Sequence, residues 1–284
     1  MEKWLHLPAH YYKQYDADLT ADIPGRTYTG WTTRLLDVPL EKTALVSMHM
    51  WNPGLEDRIP GGPDSPYAGW FRFVEYLSRA VPITQQVFPP LLQAARDAKM
   101  TVIHVGSTEA YTGNWEGYQQ AKTLSGPAPE RPPGAVEDAL RKQWQAERSS
   151  QMQGEHNTVD IRAGQKFLDF PPQAMPAPGE PVVIDSHQLN AVCRDRGIWH
   201  LVYVGFAINW CLLASPGGMI DMSRLGYVCS TIRQATTAVE NRDSCSEEWA
   251  KEIALWRVAL MFGYVFDLHP FLTALQAATD GAGA

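Results

Sequence analysis

Cys211 is the residue of this sequence best suited to nucleophilic chemistry. It lies in the segment VGFAINWCLL, residues 204–213, in which an apolar run ends at Val204 and a turn begins at Gly205. This spacing places Cys211 in the first turn of a helix, where free backbone N–H groups and the helix dipole favour a thiolate. The carboxyl ends of parallel strands are also where open α/β sheets bind ligands. We therefore expect Cys211 to be a nucleophile; the alternative is one more buried thiol, as we expect for Cys193, Cys229 and Cys245.

Six apolar runs are predicted to be strands of a sheet that positions this cysteine. Each run is short and is bounded by turn or charged residues, which is typical of buried parallel strands. The stronger runs are 44–48, 101–105 and 201–204, and the weaker runs are 181–184, 227–232 and 264–266. The sequence therefore predicts an α/β fold with three αβα layers and a mainly parallel six-stranded sheet of the Rossmann-like kind.

Two segments between the strands have helical spacing. In 83–99 the apolar residues recur at helical intervals, with Pro89 and Pro90 expected to kink or delay the start of the helix. In 244–261, Trp249, Ile253, Trp256 and Leu260 share one stripe of an amphipathic helix. Alternation of strands with helices supports the layered architecture.

The chain resembles the isochorismatase-like cysteine hydrolases, which include nicotinamidases, N-carbamoylsarcosine amidohydrolases and ureido-acid hydrolases. Three segments carry the resemblance: the strand, turn and cysteine around Cys211, TALVSMHMWN at 43–52, and PVVIDSH at 181–187. It extends from about residue 43 to about residue 268. Relative to the family spacing, the residues Pro216, Gly217 and Gly218 resemble an insertion that kinks the nucleophile helix.

The resemblance implies a catalytic triad of Asp, Lys and Cys, of which this sequence retains the cysteine. Cys211 matches the nucleophile, His49 occupies the Asp position, and Ser186, or Asp185 in a register shifted by one, occupies the Lys position. The family also implies an oxyanion site, here the N–H groups of Ile208 and Cys211, beside a cis peptide bond that would join Ala207 to Ile208.

The altered triad has two interpretations. In the first, His49 acts as the general base, because a thiolate–imidazolium pair needs no separate lysine. Its orienting group would be Asp185, Glu109 or Ser186. In the second, the triad has lost its chemistry and the protein is a ligand-binding or oligomeric scaffold. Vinyl-ether chemistry of the isochorismatase type is less favoured, because that reaction needs a carboxylate where His49 stands.

Other residues are candidates for the walls of the pocket. Trp51 and Trp210 adjoin His49 and Cys211, so a planar substrate could stack on them; ordinary packing is the alternative. Ala207, Ile208 and Asp185 are candidate substrate contacts. His104 and His187 could join His49 around a metal, but their spacing is not a metal motif, and we expect hydrogen-bonded wall residues and no metal.

The predicted domain organisation is a single α/β domain at 41–270. An aromatic-rich N-terminal arm at 1–40 is expected to lie over this subunit or a neighbour, and a C-terminal tail follows at 271–284. The long segment 107–180 is expected to be a lid or an oligomer contact with a short helix near 136–147. Asp57, Arg58 and Asp64 are expected to be solvated charges on a loop.

The charge and hydropathy of the chain restrict the kinds of partner that it can bind. The chain of 284 residues has 24 Lys and Arg against 31 Asp and Glu, a net charge of -7, which argues against nucleic-acid binding. The longest apolar run falls short of the roughly 20 residues of a membrane span, and no secretory signal is visible. We expect a cytoplasmic homo-oligomer that acts on a small molecule without a cofactor.

Overall fold

One sheet of eight strands organises the computed structural model, which describes residues 3–55, 65–130 and 133–280. The strands are β1 (Trp4–Lys13), β2 (Gly30–Pro39), β3 (Thr43–Met48), β4 (Thr101–Val105), β5 (Val182–Val183), β6 (His200–Phe206), β7 (Val228–Thr237) and β8 (Val265–Phe266). Their spatial order is β2-β1-β8-β7-β6-β3-β4-β5. Asp57, Arg58 and Asp64 lie outside the described residues.

The six strands from β8 to β5 are parallel to one another. Each lies at one of the six predicted positions, so the prediction of a mainly parallel α/β sheet is confirmed. The two central strands, β3 and β6, are buried along their whole length, which explains why they appear in the sequence as unbroken apolar runs.

The N-terminal segment adds two antiparallel strands at one edge of this sheet. β1 pairs with β2 along ten residues and with β8 through Ala9 and His10. Leu5, Leu7 and Ala9 point alternately into the core and are fully buried. The segment expected to be an arm is thus a hairpin that extends the sheet of its own chain, and the sheet has eight strands instead of six.

Helices cover both faces of the sheet. They are α1 (Ala68–Phe73), α2 (Leu77–Gln86), α3 (Phe88–Asp97), α4 (Glu109–Thr112), α5 (Glu116–Ser125), α6 (Ala139–Gln153), α7 (Glu155–Gly164), α8 (Ser186–Asp195), α9 (Met219–Arg224), α10 (Trp249–Met261) and α11 (Leu268–Asp280). One core cluster contains residues of α1, α2, α3 and α11, and the other contains residues of α8, α9 and α10. The predicted three layers are therefore present. No helix in the described part of the chain is both long enough and apolar enough to span a membrane.

Three helical segments differ from their predictions. The predicted helix 83–99 is two helices, α2 and α3, which meet at Val87 just before Pro89 and Pro90. In α10 the buried side chains are Ala254, Leu255 and Val258, whereas Trp249 and Ile253 of the predicted stripe are exposed. Residues 271–280 of the expected tail belong to α11, which buries Phe271 and Leu275.

The segment 107–180 contains four helices with different surroundings. α5 packs beside β5, where a Cβ on Gly117 would lie 2.1 Å from the carbonyl oxygen of Glu180. α7 packs against α1 at Gly69, where a Cβ would lie 2.7 Å from the carbonyl oxygen of Asn157. α6 matches the short helix predicted near 136–147, and none of its residues is buried.

A close backbone approach fixes the relative position of β3 and β6. Met48 pairs with Gly205, and a Cβ on Gly205 would lie 2.1 Å from the carbonyl oxygen of Met48. Gly205 also has φ +117°, a conformation that side chains disfavour. The pair brings the ends of two strands together, so that His49 and Phe206 leave the sheet side by side.

We expect Gly205→Ala to lower the free energy of unfolding by about 3 kcal/mol or more, because both the contact with Met48 and the positive φ become unfavourable. Urea unfolding of the purified proteins measures this loss. Gly134→Ala is the matched control, since a Cβ there has no neighbour within 4 Å. Equal stability of the two variants would contradict the role given to the close approach.

Candidate active site

The turn that carries Cys211 begins where β6 ends. A cis peptide bond joins Phe206 to Ala207, and one turn of π-helix follows at Ile208–Leu212. The Ala207 carbonyl accepts hydrogen bonds from the N–H groups of Trp210 and Leu212, both at 3.1 Å. The predicted position of the cis bond, between Ala207 and Ile208, is wrong by one residue, because Ala207 already flanks the helical turn. Ile208 is buried beneath the turn.

Asn209 fastens this turn to the end of β7. Its side-chain amide donates to the Val239 carbonyl at 2.8 Å and accepts from the Val239 N–H at 2.9 Å. The pair of bonds resembles one rung of a sheet and holds the segment before Cys211. No local sequence pattern marks this role of Asn209, which depends on a residue 30 positions away.

The Cys211 thiol is neutral in this environment. Burial raises the pKa of Cys211 above its ordinary value, while hydrogen bonds to the sulfur from the Ser215 side chain and the Ala207 backbone act in the opposite direction. The prediction that the helix start makes this thiol a thiolate is therefore corrected: the loss of water around the sulfur outweighs the nearby donors.

His49 lies directly after β3 and is buried. Its backbone has φ +52°, and its N–H donates to the Val105 carbonyl at 2.9 Å. The ring stacks on Trp51 with centroids 5.2 Å apart and an interplanar angle of 17°. Burial lowers the pKa of His49 to about 4, against a hydrogen bond to the Gly106 backbone that raises it. The imidazole is thus a neutral base at physiological pH.

His49 and Cys211 stand at neighbouring strand ends but do not form a hydrogen bond. No such bond joins the two side chains, both of which the structure describes, and Nδ1 of His49 is buried without a partner. A cavity of about 20 Å³ lies beside the ring, enough for one water molecule. Its walls are His49, Trp51, Pro53, Leu55, Tyr76, Leu77, Ala80, Val81, Thr84 and Phe206.

The side chains of Ser186 and Asp185 form hydrogen bonds with other groups at the start of α8. The Ser186 hydroxyl donates to Asp221 at 2.6 Å and accepts from the Gly217 N–H at 2.9 Å. Asp185 caps the helix by accepting from the N–H of Gln188 at 2.8 Å. A Cβ on Gly217 would lie 3.4 Å from Val105 and 3.6 Å from Asp185, so the Pro216 to Gly218 insertion lies over these strand ends.

None of the three expected orienting groups bonds to His49 within the described residues. Asp185 and Ser186 have the partners given above, and Glu109 pairs with Lys122 at 2.7 Å. His104 and His187, the two histidines considered with His49 as a metal site, have hydrogen-bond partners, as expected. His104 bonds to Glu180 at 2.8 Å and His187 to the Ser125 carbonyl at 3.0 Å. Within the described ranges, no group of three or more His, Cys, Asp or Glu residues has the geometry of a metal site.

The two tryptophans differ in exposure. Trp51 is half-buried, and its indole N–H donates to the Tyr111 hydroxyl at 3.2 Å. Trp210 is 44% exposed, with its ring 6.1 Å from that of Phe73. Trp51 thus supports the histidine, whereas Trp210 offers an accessible aromatic face next to Cys211.

Part of the chain is similar in sequence to proteins of known function. Two curated relatives, the ureidoacrylate amidohydrolases RutB of Klebsiella pneumoniae (strain 342) and Klebsiella variicola (strain At-22), are each 32% identical over 91 residues. That segment is 32% of this chain and 35% of each relative, so the chain spans about a third of their length. No model of a known protein family matches the chain.

The fold is similar to that of a cysteine hydrolase from Pseudomonas syringae pv. phaseolicola 1448A. The TM-score is 0.51 at 17% identity, covering 85% of this chain and 95% of that protein. The predicted α/β fold with a mainly parallel sheet is therefore confirmed, and the chain shares it with a protein described as a cysteine hydrolase.

We expect acid to destabilise the protein through its buried histidines. Burial lowers the pKa of His49 and of His200 to about 4, so the unfolded chain binds protons below about pH 6.5 that the folded protein does not. Stability is complete above pH 6.5 and falls as the pH decreases towards 4, by about 3 kcal/mol for each histidine. Urea unfolding at pH 7.5 and 4.5 measures the loss. His49→Gln and His200→Gln should each reduce it; an unchanged loss in both variants would contradict the assignment.

We also expect the resting Cys211 to react slowly with iodoacetamide at pH 7 and faster as the pH rises above 9, because burial raises its pKa. Cys245→Ser removes the exposed thiol, and mass spectrometry follows modification of Cys211. Cys193, whose pKa burial raises to about 12, is an internal reference and should react more slowly still. Rapid modification of Cys211 at pH 7 would show a thiolate and contradict this reading.

Proposed function

We propose that this protein hydrolyses a C–N bond of a small uncharged amide or ureido compound through a thioester on Cys211. The observation that carries the proposal is the placement of Cys211 on the turn that follows β6, at a strand end next to the one that carries a neutral His49. The similarity to proteins named as ureidoacrylate amidohydrolases supports the C–N bond as the target.

The first half of the proposed reaction forms the thioester. The Cys211 sulfur attacks the substrate carbonyl carbon while the thiol proton passes to a ring nitrogen of His49. The amides of Ile208 and Cys211 are the proposed donors to the oxyanion, and loss of one such donor typically costs about 2.7–4 kcal/mol in other enzymes. When the C–N bond breaks, His49 returns the proton to the leaving nitrogen, which departs as an amine or ammonia.

The second half releases the acid. Water attacks the thioester carbonyl and gives one proton to His49, the C–S bond breaks, and His49 returns that proton to the Cys211 sulfur. The net change is one water consumed and one C–N bond exchanged for a carboxylic acid and an amine. His49 starts and ends neutral, which its low pKa favours.

In this proposal the His49 ring and the Cys211 sulfur need to come within hydrogen-bond distance only when substrate is bound. In unliganded enzymes, catalytic hydrogen bonds are often long and shorten in the complex with substrate. The cavity beside His49 already connects the imidazole to Phe206, the residue before Ala207. Among the described residues that line it there is no Asp, Glu, Lys or Arg, which favours an uncharged substrate group.

The remaining candidate residues have supporting roles in this proposal. Trp210 supplies the exposed aromatic face for a planar substrate, and Trp51 holds the imidazole by stacking. Ser186 and Asp185 act through the Pro216 to Gly218 insertion that they support, next to the nucleophile helix. We also expect a homo-oligomer, since Leu140, Trp144 and Met152 of α6 are exposed.

A non-catalytic ligand-binding protein is the second candidate. The observation that favours it is the hydrogen bond of the His49 ring to the Gly106 backbone, together with the absence of a bond from that ring to Cys211. In this case the pocket would bind a compound of the same class without breaking it.

A panel of small amides and ureido acids distinguishes the two candidates. We expect the wild-type protein to release ammonia or amine from at least one compound, and Cys211→Ser and His49→Gln to lower kcat/KM at least about 100-fold. Because the pKa of His49 is about 4, the acidic limb of the rate profile should lie near pH 4 and not near 6.5.

The matched control is Cys193→Ser, which changes a buried thiol away from the turn and should retain activity. Calorimetric binding of a panel compound with no turnover would favour the ligand-binding candidate. Turnover that survives in Cys211→Ser would refute the thioester.

A further inference from the structure

α10 carries a row of large apolar side chains on the side that faces away from the core. Trp249, Ile253, Trp256 and Leu260, here called the α10 stripe, recur at intervals of four, three and four residues, which places them on one side of a helix. Trp249 and Ile253 are each 57% exposed and Leu260 is 40% exposed, while Trp256 is half-buried. The function proposed above gives the α10 stripe no role.

The α10 stripe lies opposite the side by which α10 packs on its own sheet. The buried side chains of the helix are Ala254, Leu255 and Val258, which belong to one of the two core clusters. With 3.6 residues per turn, these three and the α10 stripe are centred on opposite sides of the helix. A helix that is apolar on both sides is typical of one that is buried on both sides. With 13 residues α10 is too short to cross a bilayer, so a protein surface is the fitting partner for its outer side.

Aromatic side chains of the β1–β2 hairpin extend the α10 stripe on one side. The Tyr12 ring lies 6.1 Å from that of Trp256 and 5.6 Å from that of Trp31, edge to face in both cases. Trp31 is 39% exposed, and the Arg233 guanidinium lies 5.4 Å from the centre of its ring. An exposed apolar surface that continues from a helix onto two strands usually marks an interface with another protein.

Exposed charges of opposite sign flank the α10 stripe on its two sides. Glu252 lies on the hairpin side, where it pairs with Arg233 at 3.1 Å, and Arg257 lies on the other side. In the heptad notation of coiled coils the stripe occupies positions a and d, Glu252 occupies g, and Arg257 occupies the e position five residues later. In a parallel helix pair, g of one helix faces e of the other. In an antiparallel pair g faces g and e faces e, so these two charges would not meet.

We propose that the α10 stripe is the interface between two copies of this chain, with their α10 helices side by side and parallel about a two-fold axis. Each apolar side chain of the stripe packs against the stripe of the other copy. Glu252 of one copy pairs with Arg257 of the other, and the symmetry forms this ion pair twice. The aromatic side chains of the hairpin border the same interface.

The charges favour a second copy of this chain over an unrelated partner. One α10 helix supplies both members of the ion pair, at the spacing that a parallel two-fold contact requires. The chain has a net charge of -7, which opposes self-association in general, but the two flanking charges of the stripe balance each other. A stable interface needs about 800 Å² from each partner. Large aromatic side chains bury about 150–250 Å² each, so the stripe and the hairpin supply a large part of that area.

The mass of the full-length protein in solution, measured by sedimentation velocity, tests the interface. We expect the wild-type protein to be a dimer or an assembly of dimers. Ile253→Asp should halve its mass at the same concentration, because the contact would bury an unpaired carboxylate. Val159→Asp is the matched control and should keep the wild-type mass, since Val159 is 66% exposed on α7, in the opposite layer. A monomeric wild-type protein overturns the proposal, and so does an unchanged mass of Ile253→Asp.

Exchange of the two flanking charges tests the parallel orientation. Glu252→Arg and Arg257→Glu each place like charges next to each other across the interface, and each should raise the Kd of the dimer at least about tenfold. The double variant places opposite charges there again and should return the Kd to near the wild-type value. The pair of Glu252 with Arg233 within one chain stays lost in the double variant, so recovery reports on the contact between copies. A double variant as weak as Glu252→Arg overturns the proposal.

A disulfide bond measures the register of the two helices directly. In the parallel pair Ile253 of one copy meets Ile253 of the other. Ile253→Cys in a Cys245→Ser background, which lacks the exposed natural thiol, should therefore form a disulfide between copies by exchange with oxidised glutathione. A non-reducing gel shows the cross-linked product, and Val159→Cys is the control that should not form it. This variant remains informative if Ile253→Asp does not fold, and the absence of a cross-link overturns the proposal.

A lipid surface in place of a second copy would give a different result. The wild-type protein would then be monomeric and would co-sediment with phosphatidylcholine vesicles, and Ile253→Asp would abolish that binding. This outcome overturns the proposal. All of these measurements concern the assembly and not hydrolysis, so they can be made whether or not a compound of the panel is a substrate.

Discussion

The contact between Gly205 and the Met48 carbonyl determines the geometry on which the candidate site depends. Because only a glycine fits there, β6 lies against β3 in one register, and the residues that follow each strand emerge next to each other. His49 leaves one strand and the Phe206–Ala207 peptide leaves the other. The positions of the turn that carries Cys211, of the imidazole and of the cavity lined by His49 and Phe206 all depend on this one pairing.

Desolvation, more than charge, controls the chemistry of this site. Burial lowers the pKa of His49, raises that of Cys211 and raises that of Tyr76, and in each case it favours the neutral form. The triad that the sequence resemblance implies, a carboxylate, an ammonium and a thiol, would place two full charges in the same space. A set of neutral groups avoids that cost in the resting state and develops charge only while a proton is in transit. The substitution of His49 for an acid is coherent with the absence of a lysine.

More of the fold than of the candidate site could be predicted from the sequence. Buried parallel strands have continuous apolar runs, so the six parallel strands and the turn before Cys211 could be located from the pattern of apolar and turn residues along the sequence. The hairpin of β1 and β2 could not be located in this way, because its strands alternate between buried and exposed residues and are rich in tyrosine. A helix was predicted within 244–261 and α10 lies there, but its buried residues are Ala254, Leu255 and Val258 instead of the predicted stripe of large apolar residues. Asn209 owes its position to a partner distant in sequence, Val239, which no local pattern reveals.

The hairpin also determines how this sheet ends. Parallel sheets of this type leave a row of unpaired backbone groups at each outer strand, and such a row can recruit another chain. Here β1 covers β8 through only two residue pairs, but it seals the core beneath with Leu5, Leu7 and Ala9. Proteolytic loss of the first strand would therefore uncover apolar surface and a vacant backbone edge at the same place, which is the combination that leads to aggregation. β1 thus covers the edge of β8 and the core beneath it, and β2 becomes the outer strand at this side of the sheet.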